Sequence, residues 1–403
     1  MTQIHPLFSV NELRQPHYWR NHTCITHELT PTGTIVQNTL RGTSVQGVRF
    51  DFSNLNKYWQ AEHGWTARIK VSNTASTGGQ TVKPTFVENF FDSDAIQVIQ
   101  NGTGKVTTFP MEQVFLEKPL LLNEDDYRKL CKTLNHNATL TVGSGTAIGP
   151  NSSDYYWVTI PDPFPKGGFP YVAFQEKDLS IILRLQNAIA EVASGVLQLD
   201  EVVLELNLYE LTDAEINFCR HAFNGQSWSK LGFQANRAAS PTTLALTGEC
   251  IPQKFDNLDD VEAIALIHIV HASRDALADA YFNIPNIADY ATVSVNKKGG
   301  APLFSTTGPQ FMKKLRYVEA TRQFPGCSLF ENKALIYTPI EEDMGTAIHR
   351  QLTKGEYKLS KDDNIVIENA GVSGSFLIDT VAIHHDTYTL VDGKLSVRHG
   401  LHH

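Results

Sequence analysis

Three residues near the end of the chain, His384, Asp386 and His399, are of the types that hold a divalent transition metal: two imidazoles and a carboxylate. His384 and Asp386 stand two positions apart, so on a β-strand they share one face. An H-x-D pair at the end of a sandwich strand, completed by a distal histidine, is the facial triad of non-haem iron oxygenases. Here the candidate third ligand, His399, lies only one short hairpin further on, whereas such a triad draws its last member from a distant strand. Little chain remains beyond it to build a substrate pocket. A polar strand end accounts for the three residues better, and no catalytic, cofactor-binding or metal role is assigned to them from the sequence.

Other polar groups yield to plainer explanations. His268 and His271 would share a helix face, but their segment has the composition of a strand, which sends them to opposite faces as core or interface histidines. His402 and His403 belong to a tail. Asn123-Glu124-Asp125-Asp126 has the form of paired carboxylates, yet it opens a helical pattern, where carboxylates complement exposed N–H groups and the macrodipole. Asp259-Asp260 and Glu341-Glu342-Asp343 suit solvated loops, with Ca²⁺ held between subunits as the alternative. Gly167-Gly168 and Gly299-Gly300 lack a P-loop context, and no Gly-x-Ser-x-Gly or His-Glu-x-x-His run occurs. No cofactor and no enzymatic activity are expected.

The elements that must position these residues belong to a folded, two-domain chain. Its 403 residues are 41% hydrophobic and 19% charged, which suits two domains of roughly 200 residues each. A net charge of −9 and the lack of any Lys/Arg cluster exclude direct sequence-specific nucleic-acid binding. Cys24, Cys131, Cys219, Cys250 and Cys327 are odd in number and form no C-x-x-C pair, so they are expected as free thiols in a reducing compartment, with Cys131 packed on a helix face. Met1 to His5 lacks the basic start of a signal peptide, and the longest apolar stretch, Ala263 to Ala272, is too short to span a membrane. The sequons at Asn21, Asn101, Asn137 and Asn151 are then coincidental.

One program of elements occurs twice. In the first pass an amphipathic helix, Asn123 to Asn135, carries Tyr127, Leu130, Cys131 and Leu134 on one stripe. It leads to the aromatic strand Tyr155 to Pro161, then Leu179 to Gln186, then the long alternating strand Glu201 to Tyr209, whose Leu204, Leu206 and Leu208 face a core. In the second pass a helix opening at Gly308-Pro309 buries Phe311, Met312, Leu315 and Val318. The strands Ala334 to Pro339, Asn364 to Glu368 and Phe376 to His385 follow it. Further strands are expected at Ala67 to Ser72 and Ala263 to Val270, with a hairpin from Asp94 to Pro110 turning at Asn101-Gly102. A short helix is marked by the capping pattern Ser9-Val10-Asn11-Glu12, and another piece lies around Ala214 to Ala222. Strands at this spacing predict an all-β fold with inserted short helices, in which sandwiches bury sheet on sheet.

These pieces resemble the double jelly-roll major capsid proteins of the tectivirus and adenovirus lineage. Tyr155-Tyr156-Trp157-Val158 looks like the aromatic strand that follows the helix of a first roll. Leu179 to Gln186 and Leu199 to Tyr209 are similar to its last two strands. Gln323-Phe324-Pro325-Gly326, Ala334 to Pro339 and Phe376 to His385 fall in the order of a second roll, and Tyr388 to Leu395 resembles a terminal hairpin; Trp228 to Asp260 fits least well. The resemblance implies two tandem eight-stranded jelly-roll sandwiches, with residues 1–40 as an N-terminal arm, 41–222 as the first roll and 223–403 as the second. It also implies a viral major capsid protein that forms pseudo-hexagonal homotrimers in an icosahedral shell of the virion. Its partners would be neighbouring capsid trimers, penton and minor capsid proteins, and an internal membrane met by the N-terminal arm. The alternatives are a carbohydrate-binding or adhesin sandwich using Phe164, Phe169 and Tyr171 as exposed loop aromatics, or a jelly-roll iron oxygenase using His384 and Asp386.

Overall fold

A computed structural model describes residues 23–32, 46–61, 65–76, 78, 80–84, 90–100, 104–121, 129–130, 146–165, 168–174, 179–185, 190–193, 195, 197–271, 290–298, 302–307, 335–339, 357–369 and 373–399. In chain order the first half contains β1 (Cys24–Leu29), β2 (Gln46–Asp51), β3 (Tyr58–Gln60), β4 (Trp65–Asn73), β5 (Val82–Pro84), β6 (Phe91–Gln100), β7 (Gly104–Phe109), α1 (Met111–Leu121), β8 (Ser152–Ile160), β9 (Phe169–Pro170), β10 (Leu179–Leu185), β11 (Ala190–Ala193), β12 (Leu197–Glu210) and α2 (Asp213–Ala222). The second half contains β13 (Gln226–Asn236), β14 (Thr242–Leu244), β15 (Cys250–Lys254), β16 (Glu262–His271), β17 (Tyr290–Asn296), β18 (Pro302–Thr307), β19 (Leu335–Pro339), β20 (Tyr357–Lys358), β21 (Asn364–Asn369), β22 (Gly374–Val391) and β23 (Lys394–His399).

All the strand pairings among the described residues are antiparallel, and the two halves share one strand order. In the first, β1–β12–β4–β8 form one sheet and β2–β10–β6–β7 the other. In the second, β13–β22–β16–β19 face β15–β21–β17–β18. Ranked along the chain, the eight principal strands of each half run first–eighth–third–sixth in one sheet and second–seventh–fourth–fifth in the other. That order is the jelly roll, and it occurs twice in tandem. The strand β1, inside the stretch expected as an N-terminal arm, is the first strand of the first roll.

Period-two patterning explains the cores. Trp65, Ala67, Ile69 and Val71 of β4 are buried while Thr66, Arg68, Lys70 and Ser72 are only half-buried. Val202, Leu204, Leu206 and Leu208 of β12 are fully buried, as their alternation predicts. The expected hairpin is β6 and β7, and β22 and β23 form a second, whose turn residues Asp392 and Gly393 both have positive φ, 50° and 71°. That is the type I′ geometry whose twist matches paired strands. The helix α2 starts where Thr212 and Glu215 make a capping box, Thr212 N–H donating to Glu215 Oε2 at 2.7 Å.

Three expectations change or pass out of view. The first-pass helix is seen only at Lys129 and Leu130, which are helical; Asn123 to Asp126, the second-pass helix, Glu341 to Asp343, Cys131, Cys327, Ser9 to Glu12, His402 and His403 lie outside the described residues. An unexpected helix, α1, follows Pro110 and buries Met111, Val114, Phe115 and Leu116. Finally, the strand expected to stop at His385 runs on to Val391. The polar run His384-His385-Asp386-Thr387 does not end it, because the turn residues come only at Asp392-Gly393.

Candidate functional site

His384 and Asp386 stand on one face of β22, and the register Asp386↔His399 places the histidine of β23 directly beside them. The imidazole N–H groups His384 Nε2 and His399 Nδ1 both donate to Asp386 Oδ1, each at 3.0 Å. One ligand atom from each residue lies within 4.8 Å of the other two. The short hairpin that separates His399 from the pair in sequence therefore brings the three side chains together: a neighbouring strand in register suffices. On the other side of β22, Gly232 of β13 pairs with His384. A Cβ there would come 2.5 Å from both His384 Nε2 and Asp386 Oδ2, so the convergence of the two side chains requires a glycine.

These groups are not a solvated strand end. The side chains of His384 and Asp386 are 3% and 5% exposed, and that of His399 is 51% exposed. Burial pushes the Asp386 carboxyl up, but the hydrogen bonds from His384 and His399 outweigh it and hold the group at about 2. His399 is raised above the usual histidine value by its bond to Asp386, against burial and the nearby Lys105. The cluster thus carries a permanent buried anion with one half-exposed, readily charged imidazole over it.

His268 and His271 behave as the strand reading required. Both are fully buried on β16 and, three apart, they project to opposite faces. His268 Nδ1 is 3.0 Å from Thr380 Oγ1 and its ring stacks on Phe255, while His271 lies 3.2 Å from the Asp379 carboxylate. Asp259 and Asp260 are exposed loop residues, Asp260 pairing with Lys358 at 2.9 Å. Cys24, Cys219 and Cys250 are free thiols; burial pushes Cys219, on α2, to about 12.

A built seam joins the two rolls, and sequence reasoning did not find it. Arg237 at the end of β13 donates to both carboxylate oxygens of Glu112 on α1, at 2.7 and 2.5 Å, and Glu112 is fully buried. Lys230 Nζ reaches Asp162 Oδ1 at 2.9 Å. The Trp228 indole donates to the Pro163 carbonyl at 2.7 Å, stacks on Tyr388 and packs against Phe169. Gln100 clamps the β22–β23 hairpin, donating to the Gly393 carbonyl at 2.6 Å and accepting from Leu395 N–H at 2.8 Å. Phe164, Phe169 and Tyr171, expected as exposed loop aromatics, are buried in this region at 1%, 0% and 4% exposure. Trp65 and Tyr171 share the side-chain oxygen of Gln60, which ties that loop to β4.

Other aromatics among the described residues are exposed. Tyr155 and Trp157 project from β8, the edge strand of its sheet, with ring centroids 6.1 Å apart and Lys70 Nζ 5.5 Å from the Tyr155 ring. Beside them Arg68 bonds Glu28, Glu201 and Glu205. This flank combines flat apolar area with fixed charges, the composition of a contact surface.

The chain is similar to several solved structures. Against PBCV-1 VP54, fitted into a cryo-EM reconstruction of the virophage Sputnik, the TM-score is 0.62 with 10% identity, over 94% of this chain and 98% of that one. Against the quasi-atomic model of the PBCV-1 virus capsid it is 0.59 with 11% identity, over 94% and 98%. Against the Faustovirus major capsid protein it is 0.58 with 9% identity, over 92% and 90%. At such identities the likeness is one of fold. No family model matches the chain, and no curated protein matches it.

Proposed function

We propose that this chain is a viral major capsid protein, a subunit that works by self-association and not by turnover. The observation that carries the reading is the double jelly roll itself, similar over 94% of this chain to the PBCV-1 capsid structure and over 92% to the Faustovirus major capsid protein. Two similar sandwiches in one subunit give a trimer six similar flanks, so three copies pack as a hexagon and tile a shell. The seam supports this use, because a flank can be shared with a neighbour only if both rolls hold a fixed angle. The carbohydrate-binding alternative loses its support with the burial of Phe164, Phe169 and Tyr171.

The finer reading divides the rolls near residue 222, after α2, and gives the residues ahead of the first roll to an arm that meets an internal membrane. It places the protein in the virion as homotrimers that contact neighbouring trimers, penton and minor capsid proteins. Light scattering on the purified protein tests the subunit count. A stable species of three times the chain mass at micromolar concentration is expected, and a monomer at every concentration would sink the reading.

A further inference from the structure

We propose that His384, Asp386 and His399 form a site for one divalent first-row transition metal ion of the zinc class, fastening the β22–β23 hairpin. The ligand types select the ion: two imidazoles and a carboxylate suit Zn²⁺ or Co²⁺, whereas Ca²⁺ and Mg²⁺ require sets of oxygens. The spacing fits as well. Donor atoms bound at roughly 2.0–2.2 Å to one ion lie about 3–3.5 Å from one another; both nitrogen–oxygen separations here are 3.0 Å, and the two nitrogens, within 4.8 Å of each other, would close in as the half-exposed His399 ring turns onto the ion. Gly232 is the cradle, since any side chain at that position would fill the volume where His384 Nε2 and Asp386 meet. The half-exposed ring of His399 is the way in, and it leaves a coordination position open to water.

The chemistry also sets the strength. Binding replaces the protons that now bridge the imidazoles and Asp386, so the ion becomes the counter-charge of a buried carboxylate. His384 must then carry its proton on Nδ1, which is buried and has no hydrogen-bond partner among the described residues. An unmet buried donor weakens binding roughly 10–100-fold relative to a site with a complete outer shell, and the positive charge of Lys105 near His399 acts the same way. A micromolar site is therefore expected, not a nanomolar one. It holds structure together and does not depend on assembly into a shell.

The test is a titration of the metal-stripped full chain with Co²⁺, read by its visible absorption, and with Zn²⁺ by calorimetry. One ion per chain is expected. His399→Ala, at a half-exposed position, should weaken binding at least about tenfold, and Asp386→Asn should do the same. The double variant His402→Ala/His403→Ala should leave binding unchanged. Circular dichroism is the check that each variant folds; His399, half-exposed, is the position expected to tolerate Ala, so His399→Ala decides if Asp386→Asn does not fold. Absence of saturable binding overturns the proposal. So does binding that survives His399→Ala, or that disappears with the two tail histidines.

Discussion

His268 is a neutral imidazole sealed inside the second roll, and burial holds its pKa down at about 3. The unfolded chain takes up a proton there below about 6.5, the folded chain does not, so this residue contributes stability at neutral pH that is lost as pH falls from 6.5 towards 3. The slope is at most about 1.4 kcal/mol per pH unit. Urea unfolding of wild type and His268→Asn between pH 7 and 4 should show a shallower loss in the variant by about one proton; identical slopes would mean that His268 charges within the fold. At this scale the sequence was informative about pairing and uninformative about surroundings. Parity put His384 and Asp386 on one face, and the same parity separated His268 from His271. Nothing in His384-His385-Asp386-Thr387 reveals that other strands cover it, so the run looked like an exit to solvent. Phe164, Phe169 and Tyr171 were misplaced for the same reason: a Pro/Gly-rich loop looks external until Trp228 of the other roll is found against it.

Elements were legible where one face alone is buried. From Leu204 to Leu208 the long strand β12 is such a case. Leu206→Ala should cost about 2–5 kcal/mol, whereas Asn207→Thr, one residue on and exposed, should stay within about 0.5 kcal/mol. Denaturant midpoints of the two variants check the register directly, and equal effects would refute it. The helix α1 was missed because Pro110 precedes it and Pro119 falls inside its last turn, and proline signals a break. Its sign was nevertheless present, in the one-face spacing of Met111, Val114 and Phe115. Gly168 marks a further constraint. It has a φ of 80°, and a Cβ there would lie 2.1 Å from the Gln60 carbonyl oxygen. Gly168→Ala should therefore destabilise the first roll by more than the roughly 1–2 kcal/mol that a left-handed conformation alone costs. A smaller shift in the urea midpoint would show that the loop yields.

At the scale of the whole molecule, duplication was visible in one dimension as a repeated order of elements, and the structure resolves it into two rolls with one strand sequence. The seam was not visible, because Arg237 and Glu112 are far apart in the chain and neither stands in a recognisable motif. Arg237→Ala leaves the buried Glu112 carboxylate without its guanidinium and should cost about 3–5 kcal/mol. A drop in the unfolding midpoint with loss of a single cooperative transition would mark the rolls coming apart; an unchanged midpoint would show that the seam does not depend on this pair. Two rolls held at a fixed angle make a subunit for hexagonal packing. Electron microscopy of the purified protein tests it most directly. Three-fold particles with a six-sided outline, two lobes from each chain, are the expected result, and a uniform field of single two-lobed monomers at every concentration would contradict it.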